Sequence, residues 1–303
     1  MGKLTTIGSR AALVPLRWIG RLPVDRARRA TGWLGRPMQY LMRRRAAIVA
    51  RNLELCLPEL DLAARKRLAH DHFKNLAESL GEISCAWSLD APLGPAVGRV
   101  EGLEHLAAAR AGGQGVLLLT GHSTCLELGA RVFGEQVDSC AIYRPLRNPV
   151  LEDFQNRGRA RYARRMIARD HLREMVRFLR AGGVLWYAPD QDFGVRRSLF
   201  APFFGVPAAT AKGMLELARL GRARVVPMYP HKDETSGTIT VVVEPAFENF
   251  PSDQPVADLT RYNEFLERNI RRSPAQYWWL HRRFKTRPAG HADRYALQHR
   301  RRP

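Results

Sequence analysis

The sequence is poor in cysteine and in long apolar runs, and both features narrow what the protein can be. Its 303 residues include four cysteines, which form no C-x-x-C pair and show no zinc-like spacing. A disulfide framework is therefore not expected, and this cysteine usage is typical of a reducing compartment. No stretch reaches the roughly 18 to 20 uncharged apolar residues that a spanning helix needs. The apolar stretch near the N-terminus is cut by Arg17 and Arg21 and does not have the pattern of a signal peptide.

Acidic residues are scarce at the two ends of the chain. Residues 1–51 carry twelve basic groups against Asp25 alone, and residues 281–303 carry eight against Asp293. The formal net charge of +20 is thus concentrated at the ends, and the body between them carries only +2. This distribution predicts contact with an anionic membrane surface, an acidic carrier protein or nucleic acid. Nucleic acid is disfavoured, because a nucleic-acid-binding protein would place its basic residues along a reading surface in the body.

The stretch 10–22 has the pattern of an amphipathic surface helix. Its three arginines fall on one side of a helix, and Leu16 and Ile19 fall on the other. Such a helix can lie in a membrane interface, with its arginines on lipid phosphates and its apolar side buried in the lipid. The alternative is a surface helix that packs on its own protein.

Strand-like and helical periods alternate after residue 100. Strands are predicted at 116–120, 137–143, 184–188, 225–229 and 238–243, and helices at 38–56, 62–87, from about 124, and at 149–166, 170–181, 210–220 and 256–272. This alternation predicts an α/β fold with a largely parallel sheet covered by helices on both faces. We expect a helical, membrane-associating region at 1–95, an α/β domain at 96–290 and a basic tail at 291–303.

Polar residues follow two of the predicted strands at their carboxyl ends, where ligands and catalytic groups gather in α/β sheets. GHSTCLE (121–127) follows one strand, and PDQDFG (189–194) follows another. If His122 lies in the turn, Glu127 can hold one imidazole nitrogen while the other takes a proton. Thr124 and Glu127 also fit a capping box, which needs no catalysis. The residues alone leave both interpretations open.

Five longer motifs resemble those of the bacterial lipid A biosynthesis acyltransferases, the late acyltransferase family that adds lauroyl or myristoyl chains. The motifs are GHSTCLELGA (121–130), RGRAR (157–161), WYAPDQDFG (186–194), FAPFFGVPAAT (200–210) and YWWLHRRFKTRPAG (277–290). The resemblance covers most of the chain, from Arg51 to Pro288. It implies a glycerolphosphate-acyltransferase-like fold of the lysophospholipid acyltransferase superfamily, in which a helix-covered, largely parallel sheet follows an N-terminal helical region.

The same resemblance implies a reaction. A fatty acyl chain would move from an acyl thioester, usually on acyl carrier protein, to a hydroxyl of a lipid A precursor or a related glycolipid. His122 would act as the general base and Glu127 would assist it. Arg159 is expected to stabilise the oxyanion or to bind an acceptor phosphate, and the alternative is a solvated arginine on a helix surface. Neither a cofactor nor a metal is expected.

Substrate-binding residues and the location of the protein follow from the same resemblance. Asp190 and Asp192 are expected either to orient the acceptor sugar or to cap the loop that follows them. Arg282 with its basic neighbours is expected either to hold lipid phosphates or the acidic carrier, or to belong to a solvated tail. Members of this family commonly begin with a spanning helix, whereas this chain has only the interrupted stretch 10–22. We therefore expect peripheral or monotopic attachment to the cytoplasmic face of the bacterial inner membrane.

Three further hypotheses stay open at this level. Phe200, Phe203 and Phe204 can line an acyl groove or simply belong to the core. Cys125 lies close to His122 in sequence, so an acyl hydrolase with a covalent acyl-cysteine is an alternative, although no G-x-S-x-G motif is present. An acyltransferase that acts on a different lipid acceptor is the other alternative.

Overall fold

A seven-stranded sheet with helices on both faces follows an N-terminal helical region in the computed structural model, which describes residues 11 and 13–296. The helices are α1 (Val24–Gly32), α2 (Gly35–Leu41), α3 (Arg43–Cys56), α4 (Leu62–Ser88), α5 (Leu103–Arg110), α6 (Leu126–Gly134), α7 (Pro149–Arg159), α8 (Leu172–Arg180), α9 (Gly213–Gly221) and α10 (Pro255–Arg272). The strands are β1 (Gly98–Glu101), β2 (Val116–Leu119), β3 (Cys140–Tyr143), β4 (Arg165–Ala168), β5 (Val184–Tyr187), β6 (Ser198–Phe203), β7 (Val206–Ala211), β8 (Arg224–Lys232) and β9 (Ile239–Val243).

The large sheet is mostly parallel and has the strand order β1-β9-β8-β2-β5-β3-β4. Strands β8, β2, β5, β3 and β4 run in one direction, whereas β9 is antiparallel to β8 and parallel to β1. The predicted α/β class with a largely parallel, helix-covered sheet is therefore confirmed. The register pairs Leu119 of β2 with Tyr187 of β5, so the segments that follow these two strands leave the sheet side by side.

The core is divided by the sheet, because successive side chains of a strand point to opposite faces. All four residues of β2 are fully buried, which explains its continuous apolar sequence. Leu117 and Leu119 pack on one face with apolar residues of α8, α9 and α10. Leu118 packs on the other face with Trp186 and with residues of α5 and α6.

Several elements differ from the prediction. The helix expected at 38–56 is divided at Met42 between α2 and α3, and β1 and α5 were not predicted. The helix expected at 149–166 ends at Arg159, because the chain turns there into the edge strand β4. Residues 198–211 form an unpredicted antiparallel hairpin, β6–β7, which turns at Phe204 and Gly205, both with positive φ. Phe203 at the end of β6 is fully buried and packs against Phe284, so it belongs to the core.

The N-terminal helices are joined to the sheet by buried charges. Arg28 of α1 donates to Glu82 of α4 at 2.7 Å. Lys232 at the end of β8 lies 2.6 Å from Glu78 and 3.3 Å from Glu82 through its Nζ atom. The N-terminal helices and the α/β part therefore share one ionic cluster, while the domain boundary at residue 95 stays a prediction.

The stretch 10–22 lies partly outside the described residues, which exclude Arg10. Residues 13–19 are helical. Leu13 is fully buried and Ile19 packs against the core. The apolar side that was expected to enter a membrane therefore packs on the protein, and Val14 and Trp18 are exposed instead. Within the described part of the chain, no helix has the length and apolar character to cross a membrane. The end of the predicted basic tail, 297–303, also lies outside the description.

Candidate active site

His122 and Asp190 meet at the carboxyl edge of the sheet. Each lies three positions beyond the paired strand ends Leu119 and Tyr187, so the parallel register brings the two residues together. Nδ1 of His122 donates a hydrogen bond to Oδ1 of Asp190 at 2.5 Å, and the backbone N–H of His122 donates to Oδ2 at 2.9 Å. Both carboxylate oxygens therefore orient one histidine. The expected contact of Asp190 to an acceptor sugar stays a prediction.

The environment of this pair favours charge on both partners. Burial alone would raise the pKa of Asp190, but the charge of His122, the two hydrogen bonds and the nearby Arg283 lower it below the ordinary value. Burial alone would lower the pKa of His122, but the charge and hydrogen bond of Asp190 raise it above the ordinary value. When the imidazole is neutral, donation from Nδ1 to the carboxylate leaves the lone pair on Nε2, and no hydrogen bond to a described residue engages this atom.

The turn that carries His122 is held by its backbone. The carbonyl of His122 accepts a hydrogen bond from the backbone N–H of Trp278 at 3.1 Å. Gly121 precedes it where the chain passes Leu266 and Asp190 closely: a Cβ at Gly121 would lie 2.6 Å from Cδ2 of Leu266 and 3.5 Å from Oδ2 of Asp190. A larger residue at this position would have to displace the side chain of Leu266, so the close packing favours glycine.

Glu127 does not contact the imidazole. Its Oε1 accepts hydrogen bonds from Nε1 of Trp87 (2.7 Å), Nε of Arg159 (2.8 Å) and the hydroxyl of Tyr162 (2.5 Å), and Oε2 accepts one from Nη2 of Arg159 (2.6 Å). The expectation that Glu127 holds His122 is wrong, because its position in the first turn of α6 directs the carboxylate towards α4 and α7. Glu127 instead positions Arg159 with a bidentate ion pair.

The capping-box interpretation is also wrong. The N-cap of α6 is Cys125, which makes no side-chain cap. The backbone N–H of Thr124 donates to the carbonyl of Gln276 at 2.7 Å, and its hydroxyl has no partner among the described residues. Glu127 therefore makes no reciprocal bond to Thr124.

The Glu127–Arg159 pair is a stable charge pair at the site. The two side chains are 13% and 18% exposed. Burial alone would raise the pKa of Glu127, but the charge and hydrogen bonds of Arg159 lower it below the ordinary value, with smaller contributions from Tyr162 and Trp87. Nη1 of Arg159 makes no hydrogen bond to a described residue. The guanidinium therefore keeps one donor for a ligand.

A cavity of about 380 Å³ joins these groups. His122, Glu127 and Arg159 line it together, which makes one part of its wall polar. The apolar residues of the wall are Ile83, Leu126, Ala130, Ala141, Ile142, Ala163, Met166, Trp186, Ala188 and Trp278. The size falls within the roughly 300–1,000 Å³ of small-molecule sites. Residues 200–204 do not line this cavity, so the hypothesis that their phenylalanines form an acyl groove here is wrong.

Asp192 and Arg282 lie outside the cavity wall. The carboxylate of Asp192 accepts hydrogen bonds from Gly194 (2.8 Å) and from the backbone and hydroxyl of Thr286 (2.6 and 2.8 Å). These bonds give Asp192 a structural role in closing its loop, and its expected contact to a sugar stays a prediction. Arg282 is exposed and lies over the ring of Tyr295 at 5.8 Å, and its expected contact to phosphates or the carrier stays a prediction.

Cys125 is unsuited to nucleophilic catalysis. Its side chain is fully buried, and burial together with the nearby Glu82 raises the pKa of the thiol to about 11. The thiolate, which is the nucleophilic form, is therefore scarce at neutral pH. An acyl-cysteine hydrolase finds no support in this arrangement.

Comparison with known proteins identifies the family. The family model of the bacterial lipid A biosynthesis acyltransferases matches residues 3–286. The lipid A biosynthesis lauroyltransferase of Escherichia coli K12 is 37% identical over 289 residues, which cover 92% of this chain and 94% of that protein. The palmitoleoyltransferase of the same organism is 38% identical over 266 residues, covering 87% and 85%.

Among solved structures, the 1-acyl-sn-glycerophosphate acyltransferase PlsC from Thermotoga maritima covers 77% of this chain and 97% of its own, with a TM-score of 0.38 and 13% identity. That likeness is too distant to bear on the reaction. The family match and the curated relatives settle the assignment. The chain belongs to the bacterial lipid A biosynthesis acyltransferase family and is an acyltransferase.

Proposed function

We propose that the protein moves a fatty acyl chain from an acyl thioester, carried by acyl carrier protein, to a hydroxyl of a lipid A precursor or a related glycolipid. The observation that carries the proposal is the orientation of His122, whose Nδ1 is fixed by Asp190 and whose Nε2 is free beside the cavity. A histidine held in this way is a general base for a hydroxyl. The apolar part of the cavity suits an acyl chain.

The proposed step is a direct transfer. Nε2 of His122 takes the proton of the acceptor hydroxyl while the oxygen attacks the thioester carbonyl carbon, and a tetrahedral oxyanion forms. Asp190 stabilises the imidazolium through the bond to Nδ1. When the oxyanion collapses, the carbon–sulfur bond breaks and the imidazolium returns its proton to the sulfur. Acyl ester and free thiol are the products, and no covalent enzyme intermediate is needed.

Arg159 is proposed to bind negative charge near this centre. Its guanidinium is fixed by two hydrogen bonds to Glu127, and Nη1 is left for a ligand. A donor that is oriented before the reaction stabilises developing charge without reorganisation. The oxyanion of the transfer step and a phosphate of the acceptor are the two ligands that fit this donor.

We further propose that the protein attaches peripherally to the cytoplasmic face of the inner membrane through its N-terminal helices. Their large apolar side chains that are more than half exposed are Val14, Trp18, Trp33, Tyr40, Leu41 and Leu62. Exposed arginines lie among them, at Arg17, Arg21, Arg36, Arg43 and Arg44. Aromatic rings beside cations are typical of a surface that rests on an anionic lipid interface.

The membrane proposal is tested with vesicles that contain phosphatidylglycerol. A Trp18→Ser/Trp33→Ser variant should bind them about tenfold more weakly, because two exposed rings no longer enter the interface. The control Leu220→Ser/Val256→Ser removes exposed apolar side chains of α9 and α10 and should bind like the wild type. Equal binding by all three proteins would contradict the proposal.

The acyl transfer is tested by mass spectrometry of the glycolipid. The wild type, His122→Ala and the exposed-histidine control His291→Ala are incubated with dodecanoyl acyl carrier protein and a tetra-acylated lipid A precursor. A gain of one dodecanoyl group is expected with the wild type and with His291→Ala, and none with His122→Ala. If the thioester is consumed but the glycolipid gains no acyl group, the proposed acceptor is wrong. If the thioester is not consumed, the proposed donor is wrong.

A further inference from the structure

Exposed arginines surround the cavity at the carboxyl edge of the sheet. Arg144 follows β3 and lines the cavity. The register of β3 and β4 pairs Tyr143 with Ala168, so Arg144 and Arg169 follow neighbouring strand ends. The backbone N–H of Arg169 also donates to the carbonyl of Tyr143 at 2.9 Å. Two cations are thus brought side by side at one edge of the cavity.

Further arginines extend this edge. Arg147 lies in the loop after β3, Arg173 lies at the start of α8, and Arg196 and Arg197 lie in the turn directly before β6; all are exposed. Among the described residues none of these side chains, nor those of Arg144 and Arg169, forms a salt bridge or a hydrogen bond to a carboxylate. By contrast, Arg164 near the opposite edge is bound to Asp138 at 3.0 Å.

Exposed apolar side chains lie among these arginines. Between residues 96 and 290 the exposed large apolar residues are Leu146, Leu172, Val195, Leu220 and Val256. Three of the five, Leu146, Leu172 and Val195, lie beside the arginines of the carboxyl edge. We call the set Arg144, Leu146, Arg147, Arg169, Leu172 and Arg173 the mouth surface. A surface of cations with apolar anchors is typical of protein–protein contacts rather than of a bare phosphate site, which needs only the cations.

We propose that the mouth surface docks an acidic carrier protein that delivers the acyl thioester into the cavity. The inference rests on the proposed function and names where the donor binds. An acidic partner complements the unpaired arginines, and its own apolar residues cover Leu146 and Leu172. The exposed aromatic residues, which suit a lipid interface, lie on the N-terminal helices instead. Docking here brings the thioester to the cavity that Arg144 and His122 line together.

The test compares an acyl donor that includes the carrier protein with a donor that lacks it. Arg147→Glu/Arg173→Glu reverses two charges of the mouth surface that do not line the cavity. The control Arg110→Glu/Arg224→Glu makes the same charge change at exposed residues, at the end of α5 and at the start of β8. Turnover is measured with dodecanoyl acyl carrier protein and with the dodecanoyl thioester of pantetheine. Affinity for labelled carrier protein is measured by fluorescence anisotropy.

The mouth variant should raise KM for the carrier-borne donor about tenfold, with kcat and the kinetics of the pantetheine thioester unchanged. Its carrier affinity should fall by the same factor, and the wild-type affinity should weaken with added salt. Equal losses with both donors would overturn the proposal and assign the surface to the acceptor or the membrane. Unchanged KM and affinity would also overturn it. If the wild type uses neither donor, the proposed function fails, while the anisotropy still decides whether the carrier docks here.

Discussion

Glu127 illustrates how a motif residue can act through a neighbour. The spacing His122-x4-Glu127 suggests contact between the two side chains. The carboxylate of Glu127 instead accepts its hydrogen bonds from Trp87, Arg159 and Tyr162. In this account Glu127 is a positioning residue for Arg159, and the imidazole depends on Asp190. The two carboxylates therefore have separate roles: Glu127 positions Arg159, and Asp190 orients His122.

Replacing Glu127 should loosen Arg159. Glu127→Gln keeps the size of the side chain but leaves a largely buried guanidinium without its counter-charge, which costs about 3 kcal/mol of unfolding free energy. The transfer rate should fall about a hundredfold, because Arg159 loses its fixed orientation. Urea unfolding and the glycolipid assay measure the two effects.

The matched control is Asp153→Asn, which removes the exposed partner of Arg157 in the same helix, α7. Exposed pairs contribute less than about 1 kcal/mol, so this variant should keep wild-type stability and rate. If the two variants have similar stability and similar transfer rates, the Glu127–Arg159 pair contributes no more than an exposed ion pair.

At the residue level the sequence predicted the place of the site but not its pairing. His122, Glu127 and Asp190 were all expected at strand ends because the runs before them are apolar and of strand length. The partner of His122 was missed because it depends on which strands are neighbours. Once β2 and β5 are known to pair in register, His122 and Asp190 are equivalent positions of adjacent strands. The two motifs contain this information, because each places its residue three positions beyond the end of its strand.

Close packing of α7 on α4 sets the position of Arg159 at the level of elements. Gly158 lies against Trp87 so tightly that a Cβ there would be 2.3 Å from the Cβ of Trp87. The two helices can approach only because residue 158 has no side chain. This approach brings Arg159 and Trp87 onto the same oxygen of Glu127.

Gly158→Ala should therefore push α7 away from α4. We expect a loss of about 1–3 kcal/mol in unfolding free energy from overpacking and a reduced transfer rate from the displaced Arg159. Gly112→Ala is the control, since its nearest neighbour would be a flexible side-chain atom 3.9 Å away. Thermal unfolding and the transfer assay of both variants give the answer. A stable, fully active Gly158→Ala protein would show that the helices need not lie so close.

The sequence predicted strands that are buried on both faces, because their residues are almost all apolar. The strands that it did not predict are partly exposed. β2 and β5 are central strands with nearly continuous apolar residues, and both were predicted. β4 is an edge strand that begins with the exposed Arg165, so its period is indistinct. The β6–β7 hairpin contains Pro202 opposite Pro207, and proline argues against a strand unless the strand is at an edge.

The whole molecule should lose stability in mild acid. His72 and His231 are buried, and burial lowers the pKa of each to about 4. The unfolded chain binds their protons near pH 6.5, so it holds more protons than the folded protein between pH 6.5 and about 4. The free energy of unfolding should therefore fall as the pH is lowered through this window, by up to about 2.7 kcal/mol per pH unit for the two groups.

Urea unfolding at several pH values checks this window. In His72→Gln, the slope of unfolding free energy against pH should be smaller by about 1.4 kcal/mol per pH unit. This holds whatever the stability of the variant at neutral pH. His291→Gln, at an exposed position, should keep the full slope. A wild-type stability that is flat between pH 6.5 and 4 would contradict the buried neutral state of both histidines. His122, whose pKa is raised, acts in the opposite sense and only above pH 6.5.

The pH dependence of kcat/KM in the wild type, Asp190→Asn and Glu127→Gln tests the central claim most directly. The base works unprotonated, so the wild-type rate should rise with pH through the raised pKa of His122. Asp190→Asn removes the charge that raises this pKa, so the acid limb should move to lower pH, with a rate reduced by about 10²–10⁴. Glu127→Gln should leave the position of the limb unchanged. A limb that moves with Glu127→Gln and not with Asp190→Asn would contradict the His122–Asp190 pair as the catalytic base.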